Sequence, residues 1–169
     1  MIDAINFDIN FDLNIWSIAV AQQQQQRQQQ QTQDDYVYFH EIETRWKDND
    51  IYGHVNNVEY YSYFDTAVAA FLISKLGLYF KDSPVIAYVI ETGCTYFESL
   101  AFPDRVKVGV RIVKLGNSSV RYELAIFKND GHKACAQGHF VHVYVDRASD
   151  TPTPIPDDVR AAMQSIAVV

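Results

Sequence analysis

The sequence predicts an α+β domain in which one long helix packs against an antiparallel sheet. A helical segment of about twenty residues follows Asn56, with apolar side chains recurring at helical spacing. Four strand-like segments come after it, joined by short turns rich in Gly and Asn. Short hairpin connections produce antiparallel neighbours. Bending one sheet around one apolar helix would bury the apolar faces of both.

The composition fits a single folded domain. The chain has 169 residues, of which 48% are hydrophobic, so one sizeable core is expected. Its net charge of −7 argues against nucleic acid as a partner, because nucleic-acid binding favours a basic surface. Two cysteines cannot build a disulfide framework and fit a reducing compartment, so we expect a cytoplasmic protein. No apolar run reaches the roughly 18 residues of a membrane span, so no membrane is expected as a partner.

Residues 1–35 differ in composition from the rest of the chain. Ten of the twelve residues in 22–33 are Gln, and residues 1–35 hold five acidic side chains against a single arginine. Such a segment cannot bury enough apolar surface to offset its ordering entropy. We therefore predict a Gln-rich, disordered leader at 1–35. It is either a dispensable extension or an interaction tail, and its acidic start argues against a secretory signal.

The long helix has start and stop signals. Asn56 is a suitable N-cap, and Glu59 three residues later would complete a capping box. Val55 and Tyr60 have the spacing of a hydrophobic staple across the same cap. Gly77 is a natural residue for the end of the helix, because it adopts a left-handed backbone without strain.

Strand-like runs precede and follow this helix. The predicted strands are Tyr36–Trp46, Val85–Ser99, Arg105–Leu115, Val120–Lys128 and Lys133–Asp146. The turn Asn129-Asp130-Gly131 is a strong hairpin signal between the last two strands. Residues 36–147 are thus the predicted folded domain. Residues 148–169 are predicted to be a Pro-rich linker with a short helix at 157–167.

The loop before the helix contains the side chains with the clearest chemical potential. Asp48 and Asp50 lie a few residues before a helix N-terminus, which has unpaired N–H groups and a partial positive charge. We expect the N–H groups of Asn57 and Val58 to remain free and to suit an oxyanion. A carboxylate facing them could attack an acyl carbonyl, or direct water at it. The alternative is that the two acids only cap turns.

The loop and helix resemble a known family. The run D-x-D-x-x-G-H-V-N-N-x-x-Y-x-x-Y extends from Asp48 to Tyr63, and S-L-x-F-P-D-x-V extends from Ser99 to Val106. Both are similar to the 4-hydroxybenzoyl-CoA thioesterase type of the hotdog-fold superfamily, over roughly residues 36–147. The resemblance implies a hotdog fold, in which a five- to six-stranded antiparallel sheet wraps one long central helix.

The resemblance also implies an activity and its catalytic residues. It implies hydrolysis of acyl-CoA thioesters with no metal or other cofactor, in homodimers or homotetramers with active sites at subunit interfaces. Asp50 matches the catalytic carboxylate, as nucleophile or general base. Asn57 matches the residue whose backbone N–H polarises the thioester carbonyl. Asp65 is a second catalytic candidate, because some hotdog thioesterases use an acid on this helix; otherwise it forms a hydrogen bond within the dimer.

Four further residues are expected to bind substrate, two of them by the same resemblance. Gly53 matches the glycine of the loop, and His54 replaces a residue that varies in the family and would line the site. Val58 and Tyr61 follow on the first turns of the helix. The neighbouring aromatic side chains either fill the core and an interface or line an acyl pocket.

Alternative functions stay open at this stage. The H-V-N-N-x-x-Y stretch also resembles plant-type acyl-ACP thioesterases, which are longer and usually carry two hotdog repeats. A non-catalytic acyl-binding protein on the same fold is the third candidate. Six basic side chains between positions 105 and 128 either contact the phosphates of coenzyme A or form a solvated strand face. They are Arg105, Lys107, Arg111, Lys114, Arg121 and Lys128.

Overall fold

The computed structural model describes residues 18, 20, 21, 30–77 and 81–168. Residues 31–169 form the compact unit that carries the fold. Its strands are β1 (Tyr38–Glu43), β2 (Val85–Tyr96), β3 (Arg105–Leu115), β4 (Ser119–Lys128) and β5 (Ala136–Asp146). Its α-helices are α1 (Asn57–Leu76) and α2 (Asp157–Gln164).

The five strands form one antiparallel sheet in the order β1-β3-β4-β5-β2. The inward side chains of β3 alternate from Val106 to Ile112 and are fully buried, as the sequence pattern predicts. They meet the apolar side of α1, where Phe64 and Phe71 are also fully buried. One long helix inside one wrapped sheet confirms the predicted α+β class and the hotdog architecture, with five strands.

The ends of α1 follow the predicted signals with one exception. Asn56 Oδ1 accepts a hydrogen bond from the Val58 N–H, and Gly77 ends the helix with a φ of 71°. Val55 and Tyr60 are both buried, as a hydrophobic staple requires. The predicted capping box with Glu59 does not form. The N–H of Asn56 donates to the Asp48 carbonyl at 2.8 Å instead.

The C-terminal segment belongs to the folded unit. Helix α2 places Val159 and Met163 in the core, and Ile155 and Ile166 are buried on either side of it. The Ile112 N–H also donates to the Ile166 carbonyl at 3.1 Å. The predicted linker therefore includes core residues, because its apolar side chains recur at helical spacing and cover one end of α1 and β3.

The described end of the predicted leader also contacts the sheet. Gln33–Asp35 form a single 3-10 turn, and Thr32 pairs with Lys133 in an isolated bridge. The Ala134 N–H donates to the Gln31 carbonyl at 2.9 Å. These polar residues of the predicted leader stay in place because their backbone groups pair with backbone groups of the β4–β5 connection. Apart from Ile18, Val20, Ala21 and Gln30, the predicted leader before Gln31 lies outside the described residues, and its disorder stays a prediction.

We expect Met163→Ala to lower the free energy of unfolding by about 2 to 5 kcal/mol, because it leaves a cavity in the core between α2 and α1. The neighbouring exposed substitution Gln164→Ala should change it by less than about 0.5 kcal/mol. Urea denaturation of both variants measures the difference. Equal effects of the two would contradict the placement of α2 in the core.

Candidate active site

Asp48 anchors the loop that precedes α1. Its side chain is fully buried and accepts hydrogen bonds from the Tyr63 hydroxyl at 2.7 Å and from the Arg45 Nε at 2.9 Å. The Arg45 N–H adds a third bond at 2.8 Å. Burial by itself would raise the pKa of Asp48, but the hydrogen bonds and the guanidinium outweigh it and hold the pKa below its usual value. Asp48 is therefore a structural carboxylate with little capacity left for substrate.

Asp50 occupies the tip of the same loop and keeps one oxygen available. Its Oδ1 accepts from the N–H groups of Tyr52 at 2.8 Å and His54 at 3.3 Å, so the carboxylate has a fixed orientation. The Asp50 N–H donates to the His54 carbonyl, and Gly53 closes the turn with a φ of 80°. Oδ2 makes no hydrogen bond within the part of the chain that the structure describes. The loop thus presents a half-satisfied carboxylate at the surface.

An open groove of about 380 Å³ brings Asp50 together with the start of α1. His54 and Asn57 line the groove beside Asp50. The backbone N–H of Asn57 has no acceptor among the described residues, whereas the Val58 N–H donates to Asn56. The expectation of two free N–H groups was therefore wrong for Val58, because the cap takes that donor. One unpaired donor at a helix N-terminus remains beside the carboxylate.

Two tyrosines form a wall of this groove. The rings of Tyr60 and Tyr96 meet edge to face with centroids 4.9 Å apart. Burial raises the pKa of Tyr60 to about 12, so its hydroxyl stays protonated at neutral pH. The same hydroxyl accepts the Leu100 N–H at 3.2 Å and fixes the chain that follows β2. The wall is therefore rigid and uncharged.

Asp65 lies elsewhere on the same helix. It is exposed and lines a second groove of about 360 Å³, bounded by α1, β2, β5 and the start of α2. Asp65 is the eighth residue after Asn57 in α1, which corresponds to about 12 Å along the helix axis. The two candidate acids therefore line different grooves of one chain.

The other predicted substrate-binding residues are dispersed. Gly53 is exposed in the turn, and Val58 is exposed on the first turn of α1. Tyr61 is half-buried and stacks on Phe140 with centroids 6.5 Å apart. Of the four, only His54 lines the Asp50 groove. Tyr60, Tyr63 and Phe64 are core residues, which favours the packing alternative for most of this aromatic cluster.

His142 is a polar residue of the second groove that no motif in the sequence singled out. It lies on the inner face of β5, whereas His139 lies on the outer face and contacts Glu91 at 2.9 Å. Burial lowers the pKa of His142 to about 4, so the imidazole is neutral at physiological pH. A histidine at an inward position of an alternating strand is the sequence signal that could have identified it.

Most of the predicted basic cluster is occupied by partners within the chain. Arg111 pairs with Glu123 at 2.6 Å, and Arg121 pairs with Glu91 at 2.9 Å. Lys128 contacts Glu98 and Asp104, and Lys107 lies over the Phe39 ring. This pairing favours the solvated-face alternative over a phosphate site.

A five-stranded sheet wrapped around one helix, with a carboxylate loop at the helix N-terminus, defines a hotdog enzyme of the thioester hydrolase class. The Thioesterase-like superfamily matches residues 44–163 of this chain. The chain therefore belongs to that superfamily. The predicted fold and the predicted enzyme class are both confirmed.

Solved structures support the assignment. The PA5185 protein of Pseudomonas aeruginosa is 48% identical with a TM-score of 0.79, over 82% of this chain and 96% of that one. A thioesterase of Thermus thermophilus complexed with coenzyme A and Zn is 28% identical with a TM-score of 0.66, over 78% of this chain and 95% of that one. A DHNA-CoA thioesterase of Staphylococcus aureus is 25% identical with a TM-score of 0.67, over 76% of this chain and 89% of that one.

No group of three or more His, Cys, Asp or Glu side chains in 30–77 and 81–168 is arranged to hold a metal ion. Within the described part of the chain, no helix is long and apolar enough to cross a membrane.

We expect Asp48→Asn to lower the free energy of unfolding by about 1 to 3 kcal/mol, because the buried Tyr63 hydroxyl and Arg45 lose a charged partner. Asp50→Asn is the matched control. It keeps an Oδ1 acceptor for the two loop N–H groups, so it should change stability by less than about 0.5 kcal/mol. Urea denaturation compares the two, and a larger loss in Asp50→Asn would refute the division of roles.

Proposed function

We propose that this protein hydrolyses acyl-CoA thioesters at the groove formed by Asp50 and the N-terminus of α1. The observation that carries the proposal is the pairing in one groove of an oriented carboxylate with an unpaired helix N–H at Asn57. The Thermus thermophilus relative complexed with coenzyme A supports this choice of carrier.

The proposed reaction uses these two groups together when water attacks the thioester. The Asn57 N–H donates to the thioester carbonyl oxygen, and the helix N-terminus stabilises the negative charge that develops on it. Asp50 Oδ2 takes a proton from water while the water oxygen bonds to the carbonyl carbon. The tetrahedral intermediate then collapses, the C–S bond breaks, and the thiolate takes up the proton. Direct attack by Asp50 would give an acyl anhydride that water then hydrolyses, and both routes use the same geometry.

The remaining candidate residues have supporting roles in this proposal. Gly53 permits the turn that holds Asp50, and His54 lines the groove next to the reacting carbonyl. Three candidates lie on α1 outside the Asp50 groove: Val58, Tyr61 and Asp65. In this proposal they would contact a substrate that is bound between two chains.

We propose a homodimer, or a homotetramer built from such dimers, as the assembly that completes the site. Strand β2 is twelve residues long and forms one edge of the sheet, so one side of its backbone is unpaired among the described residues. Its side chains Val89 and Ile90 are 49% and 63% exposed. A long apolar edge strand favours pairing with another strand. The free thiols Cys94 and Cys135 fit the proposed cytoplasmic location.

We expect Asp50→Asn to lower kcat at least about 100-fold without loss of fold, because the amide cannot accept the proton or attack. A thiol-release assay over short, long, branched and aromatic acyl-CoAs measures this on the wild type and the variant. Glu41→Gln, an exposed carboxylate on β1, should retain wild-type turnover. Near wild-type turnover in Asp50→Asn, together with a large loss in Asp65→Asn, would move the catalytic role to Asp65.

We expect Ile90→Lys to shift the protein toward monomers and to lower turnover, because a charge on the β2 edge disfavours strand pairing. Val37→Lys is a matched control, since Val37 is also an exposed apolar residue but precedes β1. Light scattering after size-exclusion chromatography measures the molar mass of each. An unchanged mass in Ile90→Lys, or dissociation of Val37→Lys alone, would argue against the β2 interface.

A further inference from the structure

The face of the sheet that points away from α1 has a small hydrophobic cluster of its own. Its buried members are Tyr36, Ala125, Phe127 and Ala134. Phe127 follows the inward Ile126 on β4, so the alternation of the strand places it on the outer face. The rings of Tyr36 and Phe127 meet edge to face with centroids 5.8 Å apart. Tyr36 precedes β1, so a segment outside the sheet completes this cluster.

Gly109 of β3 provides the space in which the Tyr36 ring lies. A Cβ atom at position 109 would come within 2.7 Å of the ring, which is closer than such atoms approach each other in proteins. The guanidinium of Arg111 lies 5.1 Å from the ring centre, a favourable distance for a cation–π contact. The tyrosine is only 5% exposed. The outer face therefore has a site that is shaped for one aromatic ring.

Gln31 forms a second anchor, five positions before Tyr36. Its Oε1 accepts the Tyr36 hydroxyl, and its Nε2 donates to Glu123 on β4 at 3.2 Å. Its backbone N–H donates to Gln137 Oε1 on β5 at 2.6 Å. Its carbonyl accepts the Ala134 N–H at 2.9 Å. Both the side chain and the backbone of this glutamine are thus bound to the outer face.

Further bonds hold the residues between these two anchors. The Gln33 N–H donates to the His132 carbonyl at 3.0 Å. The Arg111 Nη1 donates to the Asp35 carbonyl at 3.2 Å, and the Asp35 carboxylate lies 3.9 Å from the same guanidinium. Main-chain bonds combined with sites for particular side chains are typical of peptide recognition by a sheet. The segment from Gln31 to Tyr36 is bound in this manner.

We propose that the outer face of β3, β4 and β5 carries a peptide-binding site, and that the chain fills this site with its own residues 31–36, the cover segment. The peptide that fits has a Gln five positions before a Tyr, with an acidic residue directly before the Tyr. The tether gives the cover segment an effective concentration on the order of millimolar, so it excludes a competing peptide. A partner with the same pattern therefore binds only when the cover segment is released.

This site is separate from the proposed thioesterase chemistry. None of its residues lines the Asp50 groove, and its aromatic ring lies on the face of the sheet opposite α1. A variant that releases the cover segment should therefore keep wild-type turnover of acyl-CoA. Failure of the peptide site and failure of the enzyme activity are thus measured independently.

The test uses the full-length chain with the double substitution Gln31→Ala and Tyr36→Ala, which removes both anchors of the cover segment. A fluorescently labelled peptide of residues 31–37 is titrated into it, and binding is followed by anisotropy. The peptide should bind the double variant at least about 10-fold more tightly than the wild type, whose site is already filled. A peptide with Ala in place of the Tyr should bind the double variant at least about 10-fold more weakly, because it lacks the ring.

Two further variants complete the test. Val37→Ala is the matched control: Val37 is 69% exposed and lies outside the cluster, so this variant should bind no more peptide than the wild type. Gly109→Ala, added to the double variant, should abolish peptide binding, since the new Cβ takes the space of the ring. Thermal unfolding of each variant checks the fold. If the double variant does not fold, Tyr36→Leu replaces it, because leucine keeps an apolar side chain over Gly109 without the ring or the hydroxyl.

Hydrogen exchange provides an independent readout of the same site. The Ala134 N–H, which donates to Gln31, should exchange at least about 10-fold faster in the double variant and slow again when the peptide binds. Unchanged exchange would contradict the role of the two anchors. A folded double variant that binds the peptide no better than the wild type would overturn the proposal and leave the cover segment a structural element only. Equal binding of the Tyr and Ala peptides would overturn it as well, because it indicates nonspecific adsorption.

Discussion

The hydrogen bonds of the buried Asp48 carboxylate hold the loop that precedes α1 in place. One side chain connects three parts of the chain: Arg45 before the loop, the loop itself, and Tyr63 two turns into α1. The Asp48 carbonyl also takes the N–H of Asn56, the cap of the same helix. Because loop and helix are joined at this residue, Asp50 and the Asn57 N–H are brought to one groove. Other bonds also hold the loop, such as those from Val55 N–H to the Leu100 carbonyl and from Phe102 N–H to Asn49, but the Asp48 bonds are the ones that join it to α1.

Helix α1 contributes both to the core and to the lining of the two grooves. Its apolar side fills the wrapped sheet with Phe64, Phe71 and their neighbours, and this burial orients its N-terminus toward the loop. At that end the cap uses the N–H of Val58, and the adjacent N–H of Asn57 has no acceptor among the described residues. Further along, the same helix borders the groove with His142. The core packing of a single element therefore determines the position of both grooves.

Sequence reasoning was most successful where a pattern is local. The strict alternation of β3, the cap at Asn56 and the glycine at position 77 all identify their elements, because each reflects contacts within a few residues. It was less successful where a distant partner decides the outcome. Glu59 leaves the predicted capping box because a loop carbonyl competes for the Asn56 N–H. Helix α2 was predicted as a helix, but its packing against α1 and β3 depends on contacts between segments that are distant in the sequence.

The sequence by itself determined the α+β class, the order of the main elements and a loop with two acids before a helix. Only the tertiary structure distinguished those acids. Tyr63 and Arg45 bind the buried Asp48 carboxylate, whereas one oxygen of Asp50 stays available. It also separated Asp65 from Asp50, and it buried a His142 nitrogen that has no hydrogen-bond partner in the described part of the chain. The reason is physical: residue type determines which bonds a side chain is able to make, but its neighbours in space decide which of them are already made.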